Sequence, residues 1–283
     1  MRTARALLIA CHPLPSAAVT GFITAYSLTV GLSPARALLL AAAVLTGQLS
    51  IGWCNDAVDA GRDVASGRTD KPIAQAAISR RTVVVAAGLA VLCCVPLSFA
   101  LGGRAGTLHL IAVASAWAYD LWLKSTPASG VPYLISFGLL PAVATQAGPD
   151  AGWPGIGVLL GAALLGLAAH FANTVGDTAA DAATGVRGLP QRIGPRASLV
   201  ITAVLVALAA LVLLTGAPRR GPAGPAGVAG AAGAAGAVML GLGAVLAGAG
   251  GLLGARVVDA GRTAFRITLV AVALVIAGFL ITG

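Results

Sequence analysis

Long apolar runs separated by short polar loops set the rhythm of this chain. A helix that crosses a bilayer needs about 20 mainly apolar residues. Nine stretches reach that length, roughly 11 to 31, 35 to 54, 80 to 101, 106 to 123, 130 to 147, 153 to 174, 197 to 216, 224 to 254 and 264 to 282. No soluble linker divides them, so the pattern predicts one all-α membrane domain, 1 to 283, of about nine transmembrane helices. The first run follows directly on MRTAR without a small-residue cleavage site, and reads as a span rather than a removed signal peptide. From Gly221 the chain reads GPA-GPA-GVA-GAA-GAA-GAV and passes straight into MLGLGAVLAGAG. That continuity favours a small-residue helix packed closely on its neighbours over a collagen repeat or a flexible linker.

Two polar interruptions share one pattern. NDAVDAGRDVASGRTDKP starts at Asn55 and NTVGDTAADAATGVRGLP at Asn173. Without a gap they align Asn55 with Asn173, Asp59 with Asp177, Asp63 with Asp181, Gly67 with Gly185 and Pro72 with Pro190, each pair 118 positions apart. Five matches at one offset indicate an internal duplication. Steps of four keep the Asn and both Asp on one side of a helix, about one turn apart. Four spans separate the copies, and an even number returns both to the same side of the membrane. The duplication is therefore parallel, with halves of about 11 to 123 and 130 to 254 and a ninth span added at the end.

Composition sharpens this picture. With 58% hydrophobic and 10% charged residues, and a mean hydropathy of +0.94, the chain is far more apolar than a soluble domain. Of 18 Lys and Arg, 14 fall in alternate loops on one side. The positive-inside rule then puts the amino terminus and the loops 55 to 79, 119 to 129 and 175 to 195 in the cytoplasm, which makes this a multi-pass protein of the cytoplasmic membrane. The net charge of +9 sits in these short loops, with no basic arm or domain for nucleic acid. Membrane lipids with anionic headgroups and a phosphorylated substrate are the partners it suits. Cys11, Cys54, Cys93 and Cys94 show no metal-ligand spacing and read as packing residues.

All nine acids are Asp, and six of them, Asp56, Asp59, Asp63, Asp70, Asp177 and Asp181, lie in the two polar copies. If the copies face each other, their carboxylates need cations between them. Hard oxygen ligands point to Mg2+, shared with substrate phosphates, with Asn55, Asp56, Asp59, Asp63, Asp177 and Asp181 as candidate metal ligands. The neighbouring Arg68, Lys71 and Arg187 suit the outer oxygens of a metal-bridged diphosphate, with Asn173 beside them. A third loop, WAYDLWLKSTP, adds Tyr119, Asp120 and Lys124. On its own it fits an aromatic belt with a snorkelling lysine better than a site.

Together these residues resemble the UbiA superfamily of intramembrane prenyltransferases. The N-D-x-x-D-x-x-x-D pattern is met by Asn55, Asp56, Asp59 and Asp63, and D-x-x-x-D by Asp177 and Asp181. GRTDKPI, GVRGLPQRIG and YDLWLK are similar to the family's R-x-x-R-P, T-L-P-x-x-x-G and Y-x-x-x-x-K continuations. The resemblance implies a UbiA-like bundle that transfers an isoprenoid chain from an allylic isoprenyl diphosphate to an acceptor the sequence does not identify. It implies Mg2+ held by both motifs, catalytic roles for Asp59, Asp63, Asp177, Asp181 and Tyr119, and diphosphate contacts from Arg68, Lys71, Lys124, Asn173 and Arg187. Two positions depart from the pattern. Lys71 stands where the family has Arg, and His12-Pro13 stands where aromatic-acid users have Arg-Pro, which argues against a benzoate-type acceptor. Terpene cyclisation through the same ionisation is the nearest alternative. A cation-coupled transporter is the alternative from another class, but it fits less well, because these acids sit at span ends rather than at the midplane.

Overall fold

The computed structural model describes residues 2–175, 181, 185–216, 236, 239, 241–243 and 261–282. Its elements are α1 (Arg2–Ala10), α2 (Pro13–Thr29), α3 (Pro34–Ala65), α4 (Arg80–Ala100), α5 (Gly103–Leu121), a 3-10 turn (Leu123–Ser125), α6 (Val131–Gln146), α7 (Ile156–Val175), α8 (Leu189–Ile193), α9 (Pro195–Gly216) and α10 (Gly261–Thr282). No strand occurs among the described residues. Eight of the nine expected runs coincide with helices, and the run 224 to 254 lies, apart from a few positions, outside the described residues. Taken singly, α3, α4, α7 and α9 are long and apolar enough to cross a membrane, α1 with α2 makes a fifth as a bent pair, and α6 and part of α10 are shorter apolar helices. Among the described residues, length and hydropathy thus account for four or five crossings, and the tally of nine rests on the apolar runs alone.

The chain departs from the expected elements at two places that matter for the site. Residues 2–10 form their own helix, set at 63° to α2. The break has a local cause: Pro13 has no N–H to continue the ladder, and His12 takes a left-handed φ of 55°. The first polar copy, in turn, is helix rather than loop as far as Ala65. The buried stripe Leu40, Ala43, Val44, Gly47, Ser50, Cys54, Ala57 and Ala60 repeats at steps of three and four straight through the acids, so packing carries α3 past its apolar run.

Both copies make the same turn at their shared glycine. Gly67 (φ 67°) and Gly185 (φ 79°) adopt the left-handed conformation that favours glycine. The Arg68 N–H donates to the Asp63 carbonyl (3.0 Å), and the Val186 N–H donates to the Asp181 carbonyl (2.9 Å). This is the six-to-one closure of a glycine-terminated helix, repeated 118 positions on.

Away from the acids, Arg36 ties the bundle together. Its Nε donates to the Ala147 carbonyl (2.8 Å) and its Nη2 to the Leu101 carbonyl (2.7 Å), placing one guanidinium on the open C-terminal ends of α6 and α4. Between these two ends runs a core of small and branched residues, among them Leu40, Val44, Val143, Ala168, Val206, Ala209 and Val275. Small side chains let helices approach closely where lipid offers no hydrophobic drive.

Candidate active site

The first motif is assembled by a close helix contact. A Cβ on Gly52 would lie 2.4 Å from the Cys11 carbonyl oxygen, so only glycine lets the α1–α2 junction sit against α3 there. Trp53 Nε1 donates to the Leu7 carbonyl (2.9 Å) and fixes the same junction. His12 consequently lies beside Asp56, one turn further along α3. Lys71 Nζ donates to Asp56 Oδ1 (2.8 Å) and lies 3.1 Å from His12 Nε2. The 66–79 connection is held in turn by Arg80, whose Nε donates to the Ala57 carbonyl (2.7 Å).

The acids do not form the single column expected of Asn55, Asp59 and Asp63. Four residues advance a helix by about 400°, a drift of about 40° per step, whereas seven residues return within about 20°. Asp56 and Asp63 therefore share the side facing Lys71, and Asn55 and Asp59 turn toward the third loop. Asn55 Nδ2 donates to Asp120 Oδ1 (3.0 Å). Asp59 Oδ1 accepts from both Lys124 Nζ and Arg62 Nη2. Lys124 is 7% exposed, so it is built into the site rather than snorkelling to the surface. Burial pulls its ammonium below the ordinary lysine range. Arg68 forms a two-pronged ion pair with Asp70 at 2.7 Å, and that hydrogen bonding holds the Asp70 carboxyl down to about 2.

The second motif meets the first through the same third loop. Asp181 Oδ2 accepts from Gln191 Nε2 (2.7 Å), and Gly188 of the same segment lies so close to the Lys124 carbonyl oxygen that a Cβ there would be 2.5 Å from it. Arg187 is exposed nearby in sequence. Asp177 lies outside the described residues. Asn173 lies exposed near the end of α7. Tyr119 packs edge-on to Tyr133 (5.2 Å between ring centres) and to His170 (5.6 Å), and Phe137 stacks on Tyr133 (6.1 Å). An open cavity of about 510 Å³ between α1 and residues 69–77, lined by Arg5, Ile9, Lys71 and Gln75 among others, adjoins the charged cluster through Lys71.

Of the expected site residues, the structure brings Asn55, Asp59, Lys124, Tyr119 and Asp181 into one region, and gathers Asp56, Asp63 and Lys71 on the adjoining side of α3. Arg62, Gln191, Tyr133 and His12 join them without having been singled out as site residues. Arg62 had a local signal, standing three residues after Asp59 on the same helix. Gln191 and Tyr133 had none. Among the described residues no three of His, Cys, Asp or Glu converge tightly enough to hold a metal ion by themselves. The donor set nonetheless fits a hard cation. It consists of oxygens, and the buried Asp56 Oδ2 and Asp120 Oδ2 have no hydrogen-bond partner within the protein.

Comparison with known proteins matches this constellation to a family. Residues 14–248 match the model of the UbiA prenyltransferase family, and the chain belongs to that family. It is a multi-pass membrane protein with the UbiA fold. Among curated proteins it is similar to the bacteriochlorophyll synthase 33 kDa chain of Cereibacter sphaeroides, 28% identical over 205 residues, which span 67% of this chain and 66% of that one. Among solved structures it resembles a UbiA homologue from Aeropyrum pernix K1 (TM-score 0.68, 20% identity, 92% of this chain and 95% of that one). It also resembles a UbiA homologue from Archaeoglobus fulgidus bound to GPP and Mg2+ (TM-score 0.62, 15% identity, 98% and 99%).

Proposed function

We propose that this protein is a Mg2+-dependent intramembrane prenyltransferase that ionises an allylic isoprenyl diphosphate and passes the prenyl group to a small or lipophilic acceptor. The site faces the cytoplasm in this reading. The observation that carries it is the position of the Lys124 turn: Lys124 bonds Asp59 of the first motif, and the loop that follows the second motif rests against the Lys124 carbonyl at Gly188. One buried cation thereby marks the meeting point of two carboxylate-bearing helix ends. The binding of GPP and Mg2+ by the Archaeoglobus fulgidus homologue supports the same assignment.

Asn55, Asp56, Asp59, Asp63, Asp177 and Asp181 would hold Mg2+, together with phosphate oxygens and water. When bound, the metal neutralises negative charge developing on the departing diphosphate. Lys124 and Arg62 share the Asp59 carboxylate and are placed to exchange it for outer phosphate oxygens, with Arg187 and Lys71 at the edges. The allylic carbon–oxygen bond breaks and its electron pair leaves with diphosphate. The Tyr119, Tyr133 and Phe137 rings offer quadrupole stabilisation to the allylic cation and keep water from it. A nucleophilic atom of the acceptor then bonds to the cation and loses its proton.

Incubation with labelled C10, C15 and C20 diphosphates, with and without chelator, tests this. Diphosphate release should stop in chelator and return when Mg2+ is added back. Full turnover with metal removal confirmed would end the proposal. A cyclic hydrocarbon made without acceptor would reassign the chain as a cyclase, and ion flux in liposomes with no diphosphate consumed would reassign it as a transporter.

A further inference from the structure

We propose that Ser129 and His170 are positioning residues that seat the loop bearing Arg187 against the Lys124 turn. The proposal deepens the prenyl-transfer reading above and rests on it. Ser129 and His170 are 0% and 1% exposed, and their side chains meet at 3.0 Å between Oγ and Nε2. The same Ser129 Oγ accepts from the Leu189 N–H at 2.9 Å. His170 Nδ1 has no hydrogen-bond partner within the protein, so Ser129 is the polar anchor of that ring. The ring in turn packs on Tyr119 and Tyr133.

The seat has no room for a side chain. A Cβ on Gly188 would lie 2.5 Å from the Lys124 carbonyl oxygen and 3.0 Å from Ser129 Oγ. The second-motif loop therefore rests directly on the backbone of the turn that carries Lys124. On either side, the Arg187 carbonyl accepts from Arg192 Nε (2.8 Å) and the Gly188 carbonyl from the Arg192 N–H (3.2 Å). Arg187 thus projects from a segment whose flanking peptide groups are tied down, and its distance to Lys124 is set by Ser129.

The duplication gives this arrangement a counterpart. Ser129, His170 and Leu189 stand 118 positions after Cys11, Gly52 and Lys71. In the first copy the Cys11 carbonyl lies against Gly52, and the loop is fastened by the charged Lys71 reaching His12 and Asp56. The second copy has leucine where the first has lysine, and its loop is fastened instead by a main-chain N–H and a serine–histidine pair. In both copies these places adjoin, and the loop is fastened at or beside them by different chemistry.

The test combines hydrogen exchange with steady-state kinetics on the full chain in detergent. Ser129→Ala should speed exchange at the Leu189 amide about tenfold and raise KM for the diphosphate about tenfold with little change in kcat, the scale of one net hydrogen bond. In an Arg187→Ala background the same change should add less than about twofold, because the residue it positions is gone. His170→Phe keeps the ring packing and removes Nε2; it should reproduce both effects, and it serves if Ser129→Ala folds poorly. Unchanged exchange in both variants, or losses that multiply with Arg187→Ala, overturns the proposal. The exchange measurement needs no turnover, so a wild-type protein that consumes no diphosphate would remove the prenyl-transfer reading, and the catalytic meaning of the tether with it, while unchanged exchange removes the tether alone.

Discussion

The two polar copies end their helices with the same glycine and the same main-chain bond, yet they treat their acids differently. In the first, cations occupy the carboxylates: Lys71 on Asp56, Lys124 and Arg62 on Asp59, Arg68 on Asp70. In the second, Asp181 is held by the neutral amide of Gln191, and Val186, Gly188 and Leu189 stand where the first copy has Arg68, Asp70 and Lys71. The glycine turn is the same in both copies, while three charged positions of the first are uncharged in the second. A site built this way has, in its first half, carboxylates already matched with cations that can be exchanged for substrate phosphate.

The largest effect should come from removing one carboxylate from each copy. Asp59→Asn and Asp181→Asn should each lower turnover by at least about a hundredfold, the loss typical of a preorganised electrostatic group. The double variant should be little worse than either single one, since residues that act as a unit are strongly non-additive. Asp150→Asn, in the exposed connection between α6 and α7, should leave turnover nearly intact. Steady-state rates for the four proteins check this, and losses that multiply would mean that the copies form two independent sites.

Next in size is an exchange that makes the first copy resemble the second. Lys71→Leu installs the residue found 118 positions later and strands the Asp56 carboxylate, which is 1% exposed. Removing one partner of a buried ion pair costs about 3 kcal/mol. Asp56→Asn added to Lys71→Leu should restore most of that, because the uncompensated charge is gone. Thermal unfolding in detergent distinguishes the cases. If Lys71→Leu alone is as stable as the parent, the charged fastening of the first copy is incidental.

What the sequence made legible was local. Spacing along one segment located both motifs, their common glycine stop and the apolar runs, because each depends on neighbours a few residues away. The side to which Asp59 turns was not legible, since a drift of about 40° per four residues separates it from Asp63 by the time the helix ends. Lys124 carried a weak signal for the same reason: only the packing of α3 against α5 brings its ammonium to Asp59, 65 positions earlier. Ser129 and His170 look like ordinary helix-end residues until α6 and α7 are packed together. One clue did exist. Extending the 118-residue offset beyond the motifs aligns Ser129 with Cys11 and His170 with Gly52, and so marks both as junction positions.

The smallest effect concerns the Arg68–Asp70 ion pair, which lies in the open. Asp70 is 62% exposed and Arg68 26%, so solvent screens their attraction despite the two-pronged geometry. Asp70→Asn should therefore cost less than about 1 kcal/mol of stability. Its pH dependence follows from the sign of the shift. The folded carboxyl is held down to about 2, below its ordinary value, so its contribution is fully present above the unfolded pKa and is lost only as pH falls toward 2. Between pH 5 and 8 the group is ionised in both folded and unfolded chains, and the stability difference between parent and Asp70→Asn should be flat. Unfolding curves at several pH values in that window measure it. A difference that grows or shrinks across the window would mean that Asp70 is coupled to a group titrating there, and that the open pair belongs with the buried cations of its copy rather than apart from them.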